Sequence, residues 1–431
     1  MKRRAFVVTG TASVLSAGLL FWSRSRKTGA SPMLTATSPT PPRGGLVPDP
    51  EGLLDLPPGF SYRVLQRTGE PMSDGYRVPG RPDAMGCFVL KDGRWALMRN
   101  HELDDGLRRL NAYPRGTRPP RVAYDRRMWG GVSRLVLDRS AKVISSNLVL
   151  AGTSRNCAGG MSPWGWLSCE ETVRPKHGHV FLCATDADSV RRPRRIDAYG
   201  RFQHEAVAID PRTHAAYLTE DRGDGCLYRF VPRHRDLPFG EGKLQALAIR
   251  GKPYYRLGEE QADDARFDVA WVDLQHGSGE RDGLRHEAHA LGAAAVMRGE
   301  GIWRLDDGFA FTCTSGGPAA AGQIFHLAPT ADGGVLRLLA QSRDPNRLDM
   351  PDNLTLTPWG DLMVCEDNHR APCLRLVTRE GEVTPFAFHR GGLSEFAGVC
   401  FSPDGRYLFV NIQDEGLTLA VSGPWKSLYR A

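Results

Sequence analysis

The residues of this chain best equipped for chemistry are acids at the ends of short apolar runs. Trp95-Ala96-Leu97-Met98 leads to Asn100-His101-Glu102, and Trp166-Leu167-Ser168-Cys169 leads to Glu170-Glu171. Ala216-Tyr217-Leu218-Thr219 leads to Glu220-Asp221, and Leu362-Met363-Val364-Cys365 leads to Glu366-Asp367. Carboxylates gathered in one place repel one another and lose hydration when buried, unless cations bind between them. The pattern therefore points to a metal site. Cys169 and Cys365 each directly precede acids at a strand end, where a thiolate could join the ligands. Both are also readable as small buried hydrophobes, and Cys169 is the stronger candidate.

Other segments add to this set. Arg298-Gly299-Glu300-Gly301 places an arginine and a glutamate on one side of an extended segment. The planar fork of Arg298 suits phosphate or carboxylate, and Glu300 could hold a cation beside it; a turn with a charged pair is the plainer reading. Met350-Pro351-Asp352-Asn353-Leu354 offers a further acid before a strand. Three His-Glu pairs occur, His101-Glu102, His204-Glu205 and His286-Glu287, none at the H-E-x-x-H spacing of a helical zinc protease. Glu102 and Glu205 suit ligation of a hard cation, whereas Glu287, in a loop-like setting, reads as a surface ion pair. No G-x-S-x-G, Walker A or G-x-G-x-x-G motif is present.

The elements that must position these residues are repeated strands. A turn signal precedes each acidic strand end: Asp92-Gly93, Pro163-Trp164-Gly165, Asp210-Pro211 and Pro358-Trp359-Gly360. Pro163 to Pro211 spans 48 residues, Pro211 to Pro358 spans 147, and Pro358 to Pro403 spans 45. The long interval reads as three short ones, which is the spacing of propeller blades. A fifth copy, Pro403 to Asn411, ends without an acid. Pro163 precedes Cys169 by six residues and Pro358 precedes Cys365 by seven, so the two cysteines are not equivalent. Residues 236–283 match no blade and read as an excursion loop. The expectation is an all-β, six-bladed β-propeller over residues 51–431 with a metal site in its central channel, where strand ends from different blades meet.

Composition agrees. The chain of 431 residues is 41% hydrophobic and 24% charged, and its 48 glycines and 30 prolines favour turns over long helices. The net charge of +7 is modest, and the short arginine runs lack the interleaved aromatics of a nucleic-acid groove. Residues 1–30 carry Arg3-Arg4 before an apolar run, the layout of a twin-arginine export signal or a short anchor. Residues 31–50 read as a flexible tether. The nine cysteines lie at no zinc-finger spacing, and Cys365 with Cys373 is a candidate disulfide.

Together these stretches resemble the PhoX-type alkaline phosphatase family. The resemblance is carried by Arg99-Asn100-His101-Glu102, Pro163-Trp164-Gly165 through Glu171, Gly200-Arg201-Phe202-Gln203-His204-Glu205, Leu218-Thr219-Glu220-Asp221 with Leu227 to Val231, Arg298 to Gly301, Pro351-Asp352-Asn353-Leu354, and Phe401 to Gly405 with Leu408 to Gln413. It implies hydrolysis of phosphomonoesters at a mixed cluster of ferric iron and calcium, in an exported, periplasmic or extracellular protein that uses the twin-arginine machinery. It makes Cys169 the thiolate ligand, Glu102, Glu170, Glu205, Glu300 and Asp352 carboxylate ligands, and Arg298 the phosphate grip. Phosphate-ester small molecules are the implied partners. The alternatives are a calcium-dependent propeller lactonase or esterase, and a calcium-binding propeller without turnover.

Overall fold

The computed structural model describes residues 45–275, 277, 281–368, 370–392 and 394–428. The twin-arginine segment and most of the tether lie outside the described residues. The short apolar and β-branched runs pair antiparallel with their chain neighbours and build six blades. Blade I comprises Pro82–Val89, Trp95–His101, Gly130–Leu137 and Val143–Thr153; blade II comprises Asn156–Ser162, Gly165–Glu170, Val180–Cys183 and Arg194–Ile196. Blade III comprises His204–Ile209, Ala216–Glu220, Leu227–Pro232 and Gly242–Ile249; blade IV comprises Gly299–Arg304, Phe309–Cys313, Gln323–Pro329 and Gly334–Gln341. Blade V comprises Pro351–Leu356, Leu362–Glu366, Cys373–Val377 and Val383–His389, with Leu54–Asp55 added at its edge. Blade VI takes Phe396–Phe401, Leu408–Ile412 and Leu417–Ser422 from the C-terminal end and its outer strand, Ser61–Arg67, from the N-terminal end. That exchange closes the propeller. The first strands of the six blades are neighbours in an unbroken ring, I to VI and back to I.

The strand-into-acid unit is the second strand of blades I, II, III and V, and the fifth copy is the second strand of blade VI. Two expectations about spacing are corrected. The interval from Pro211 to Pro358 holds two blade steps rather than three, lengthened by an excursion after blade III. Residues 236–283 are not merely a loop: Gly242–Ile249 is the outer strand of blade III, and Arg266–Asp273 bridges it to the outer strand of blade IV. The two blades thereby share one nine-stranded sheet. A short helix, Leu284–Ala290, follows and carries Glu287, which accepts the Gln275 amide.

One irregularity recurs in all six blades. Near its start each first strand inserts one extra residue against the second strand, a β-bulge. The ring is tight enough that glycine is required at specific points. A Cβ on Gly160 would lie 1.7 Å from the Val207 carbonyl oxygen of the next blade. Between the sheets the interior is apolar, with Trp95, Trp166, Tyr228, Phe311 and Phe409 fully buried.

Candidate metal centre

The bulge sets the chemistry of the channel. Its extra residue breaks the in-and-out alternation and re-aims a side chain. The residue beside it is Asp83 in blade I, Cys157 in II, Glu205 in III, Glu300 in IV and Asp352 in V; blade VI has Ala397 there. A second ring of groups comes from the residue that follows each second strand: Glu102, Glu171, Asp221, Thr314, Asp367 and, in blade VI, Gln413. Backbone bonds lock the two rings together. The amides of Glu102, Glu171, Thr314, Asp367 and Gln413 donate to the carbonyls of Arg81, Arg155, Arg298, Met350 and Glu395 at 2.9, 2.9, 3.0, 2.9 and 3.2 Å.

The ligand-bearing atoms of Asp83, Glu102 and Cys157 lie within 4.8 Å of one another, as do those of Cys157, Glu171 and Glu205, and those of Glu205, Glu300 and Asp352. The three groups overlap through Cys157 and Glu205 and form a continuous track across blades I to V. Glu205 is 1% exposed, and its Oε2 has no hydrogen-bond donor among the described residues. Burial, reinforced by Glu171, Asp352, Asp83 and Asp221, pushes its carboxyl well above the ordinary range. Burial first, then neighbouring acids, does the same to Asp83, Glu300, Asp352 and Glu395. Burial and the charges of Asp83 and Glu205 likewise raise the Cys157 thiol.

Three arginines face these acids from equivalent places. Arg81, Arg155 and Arg298 each stand two residues before the bulged ligand, with φ of 47°, 51° and 51°. Arg81 bonds Glu102 at 2.9 Å and Asp414. Arg155 reaches Glu102 at 3.0 Å and also bonds Glu171. Arg298 bonds Asp221 through Nε at 2.9 Å and Glu300 through Nη2 at 2.7 Å, and approaches Asp367 at 3.7 Å. Three guanidiniums are too few for the carboxyls of residues 83, 102, 171, 205, 221, 300, 352, 367 and 395. The excess negative charge, the orphaned Glu205 oxygen and the mixed oxygen-sulfur donor set fit multivalent cations, with oxygen donors for a hard ion and a thiolate for a transition metal.

Of the residues singled out in the sequence, the channel brings together Glu102, Glu205, Asp221, Arg298, Glu300 and Asp352. It does not include Cys169, Glu170 or Glu220. Cys169 is fully buried in an apolar cluster with Leu167, Val180, Tyr199 and Phe202. Glu170, one residue on, faces the other side of the strand and serves as a staple. It accepts from the Ser154 amide at 2.9 Å, His177 Nδ1 at 2.6 Å and the Gly178 amide at 2.9 Å. Glu220 accepts from Tyr228 Oη at 2.8 Å and the Cys226 amide at 3.2 Å. In each acid pair the first carboxylate ties a loop and the second enters the channel. Cys365 and Cys373 are both free thiols, and Cys365 lies in an apolar cluster, so the candidate disulfide is absent.

Sequence reasoning missed Asp83, Cys157, Glu171 as a channel acid, and the arginines at 81 and 155. A signal existed. Arg81-Pro82-Asp83, Arg155-Asn156-Cys157 and Arg298-Gly299-Glu300 are one Arg-x-ligand unit repeated.

The model of the alkaline phosphatase PhoX family matches residues 42–147 and 136–416. The chain belongs to the PhoX alkaline phosphatase family. Among solved structures it is similar to Pseudomonas fluorescens PhoX in complex with vanadate, a transition-state analogue, at 19% identity and a TM-score of 0.68. That likeness covers 86% of this chain and 96% of the other. A gluconolactonase from Xanthomonas campestris is more distant, at 11% identity and a TM-score of 0.45 over 84% of this chain and 95% of its own. A search of curated proteins returns no match.

Proposed function

We propose that this PhoX-family phosphatase hydrolyses phosphomonoesters at a cluster of ferric iron and calcium held in the propeller channel. The observation that carries the reading is the track of three overlapping ligand groups in a chain matched to the family over most of its length. Cys157 is the thiolate donor, with Asp83, Glu102, Glu171, Glu205, Glu300 and Asp352 as the surrounding carboxylates. When bound, such cations neutralise the phosphoryl group, activate an oxygen nucleophile and stabilise the leaving oxygen.

The protein's own groups supply position and charge. Five blades fix the ligands on strand ends, so little reorganisation is needed at the moment of reaction. Arg298 is held by Asp221 and Glu300 with its fork at the channel. With Glu300 holding a cation, Arg298 would have guanidinium hydrogens available for phosphate oxygens. Arg155, shared between Glu102 and Glu171, stands in the equivalent place one ligand group away. The Arg3-Arg4 layout of residues 1–30 fits the reading, because a twin-arginine route would carry an already folded protein, often with its metal centre loaded inside the cell.

The test is elemental analysis of protein matured in its own export pathway, together with 4-nitrophenyl phosphate turnover. Iron and calcium should co-purify with activity. Active protein lacking both would sink the reading.

A further inference from the structure

Blade I carries its longest loop between its second and third strands, residues 102–129, and this loop leaves from Glu102 itself. It therefore projects from the acid-bearing end of the propeller. From Leu107 to Tyr124 it contains no acid and five arginines. Four arginines of the loop, Arg108, Arg115, Arg118 and Arg126, line one pocket over Tyr113 and Trp129. All four are exposed, and among the described residues none has a carboxylate within 4.0 Å. The nearest acids in sequence, Asp105 and Asp125, are engaged with Arg174 and Arg127.

The pocket is built rather than loose. Tyr113 is buried against Tyr76 and Trp129, in an apolar cluster with Met72, Val78 and Leu148. The Tyr113 amide donates to Asn111 Oδ1 at 2.6 Å, and Pro114 to Thr117 form a turn closed by a 3.0 Å bond. Arg126 Nε donates to the Pro119 carbonyl, and Arg108 lies over the Trp129 ring at 5.2 Å. The frame is tied to the channel wall as well. The Arg77 and Gly80 amides donate to the Ala112 and Leu110 carbonyls, both at 2.8 Å, and Arg81 follows directly.

Four uncompensated guanidiniums on a fixed frame match a multiply charged oxyanion, since each fork takes phosphate oxygens in pairs. We propose that this pocket binds a second phosphate group on the substrate, and so favours phosphomonoesters that carry more than one phosphate. The proposal rests on the phosphomonoesterase reading. The pocket packs on the outer strand of blade I and contains none of the metal-group residues, so the effect falls on capture rather than on the chemical step.

The metal-loaded enzyme is assayed with fructose 1,6-bisphosphate and with 4-nitrophenyl phosphate, as parent and as Arg115→Glu/Arg118→Glu. Both positions are exposed, so the variant should fold. KM for the bisphosphate should rise at least about tenfold with kcat within about twofold, while KM for 4-nitrophenyl phosphate stays within about twofold. Equal changes for both substrates, or no change for either, overturn the proposal. Arg192→Glu/Arg250→Glu makes the same charge change on exposed arginines elsewhere. If it raises the bisphosphate KM as much, overall charge is responsible and the pocket falls. Calorimetric binding of inorganic tripolyphosphate needs no turnover. Weakening by the pocket variant in a protein inactive on every ester would retire the phosphatase reading and keep the pocket; equal binding by parent and variant would retire the pocket.

Discussion

Cys157 and Cys169 lie twelve residues apart and have opposite surroundings, one beside Asp83 at 3.6 Å and the other inside an apolar cluster. Cys157→Ser should strip iron from the purified protein and lower turnover on the order of 100-fold or more, whereas Cys169→Ser should keep its iron. Metal analysis of both variants checks this, and loss of iron only from the second would reverse the assignment. Glu170→Gln should cost about 2 kcal/mol of stability by urea unfolding, because four donors, the His179 amide among them, lose their anionic acceptor, while leaving metal content unchanged. Glu171 supplies a pH signature. Burial, helped by Glu102 and Asp221 and opposed by Arg155, pushes its carboxyl up to about 7. The metal-free protein therefore holds this proton up to about neutral pH and must release it on binding a cation. Cation affinity should fall as pH drops through about 7, with a calorimetric heat that depends on the buffer's ionisation enthalpy. A pH-independent affinity between 6 and 8 would contradict it.

At the scale of the element, the sequence revealed the second strands well and the first strands poorly. Second strands are apolar runs ending in acids, a pattern visible without any partner. The first strand of blade II reads Asn156-Cys157-Ala158-Gly159-Gly160, with two glycines and no β-branched residue. It is a strand because neighbouring blades press on it, and tertiary context of that kind leaves no local trace. The same limit explains the confusion within Glu170-Glu171 and Glu220-Asp221. Alternation tells that the two acids face opposite ways, but only the bulge and the turn tell which way the channel lies. Gly160→Ala tests the tightness of that contact. A Cβ at 1.7 Å from the Val207 oxygen must separate blades II and III, costing about 3 kcal/mol and the metal groups that span them. Wild-type stability with full metal content would show that the ring can relax.

Over the whole molecule, closure depends on Ser61–Arg67 completing blade VI. Buried Arg99 of blade I reinforces it through Gln66 Oε1 at 2.9 Å and Thr418, with no acid hydrogen-bonded to it among the described residues. Deleting residues up to Arg67 should expose the edge of Leu417–Ser422 and abolish cooperative thermal unfolding, as followed by calorimetry. A chain that still melts in one sharp transition would show that five complete blades suffice. Closure has a consequence in time as well. The channel draws its first acid from position 83 and its last from position 395, and the final blade needs residues 417–422. A chain leaving the ribosome can assemble blades I to V while the track of ligands is still open on one side. The proposed ligands end at Asp352 in blade V, so the full set is in place before Leu417–Ser422 and Ser61–Arg67 close blade VI. Cation loading can therefore precede closure, with the last blade then sealing a track that is already complete.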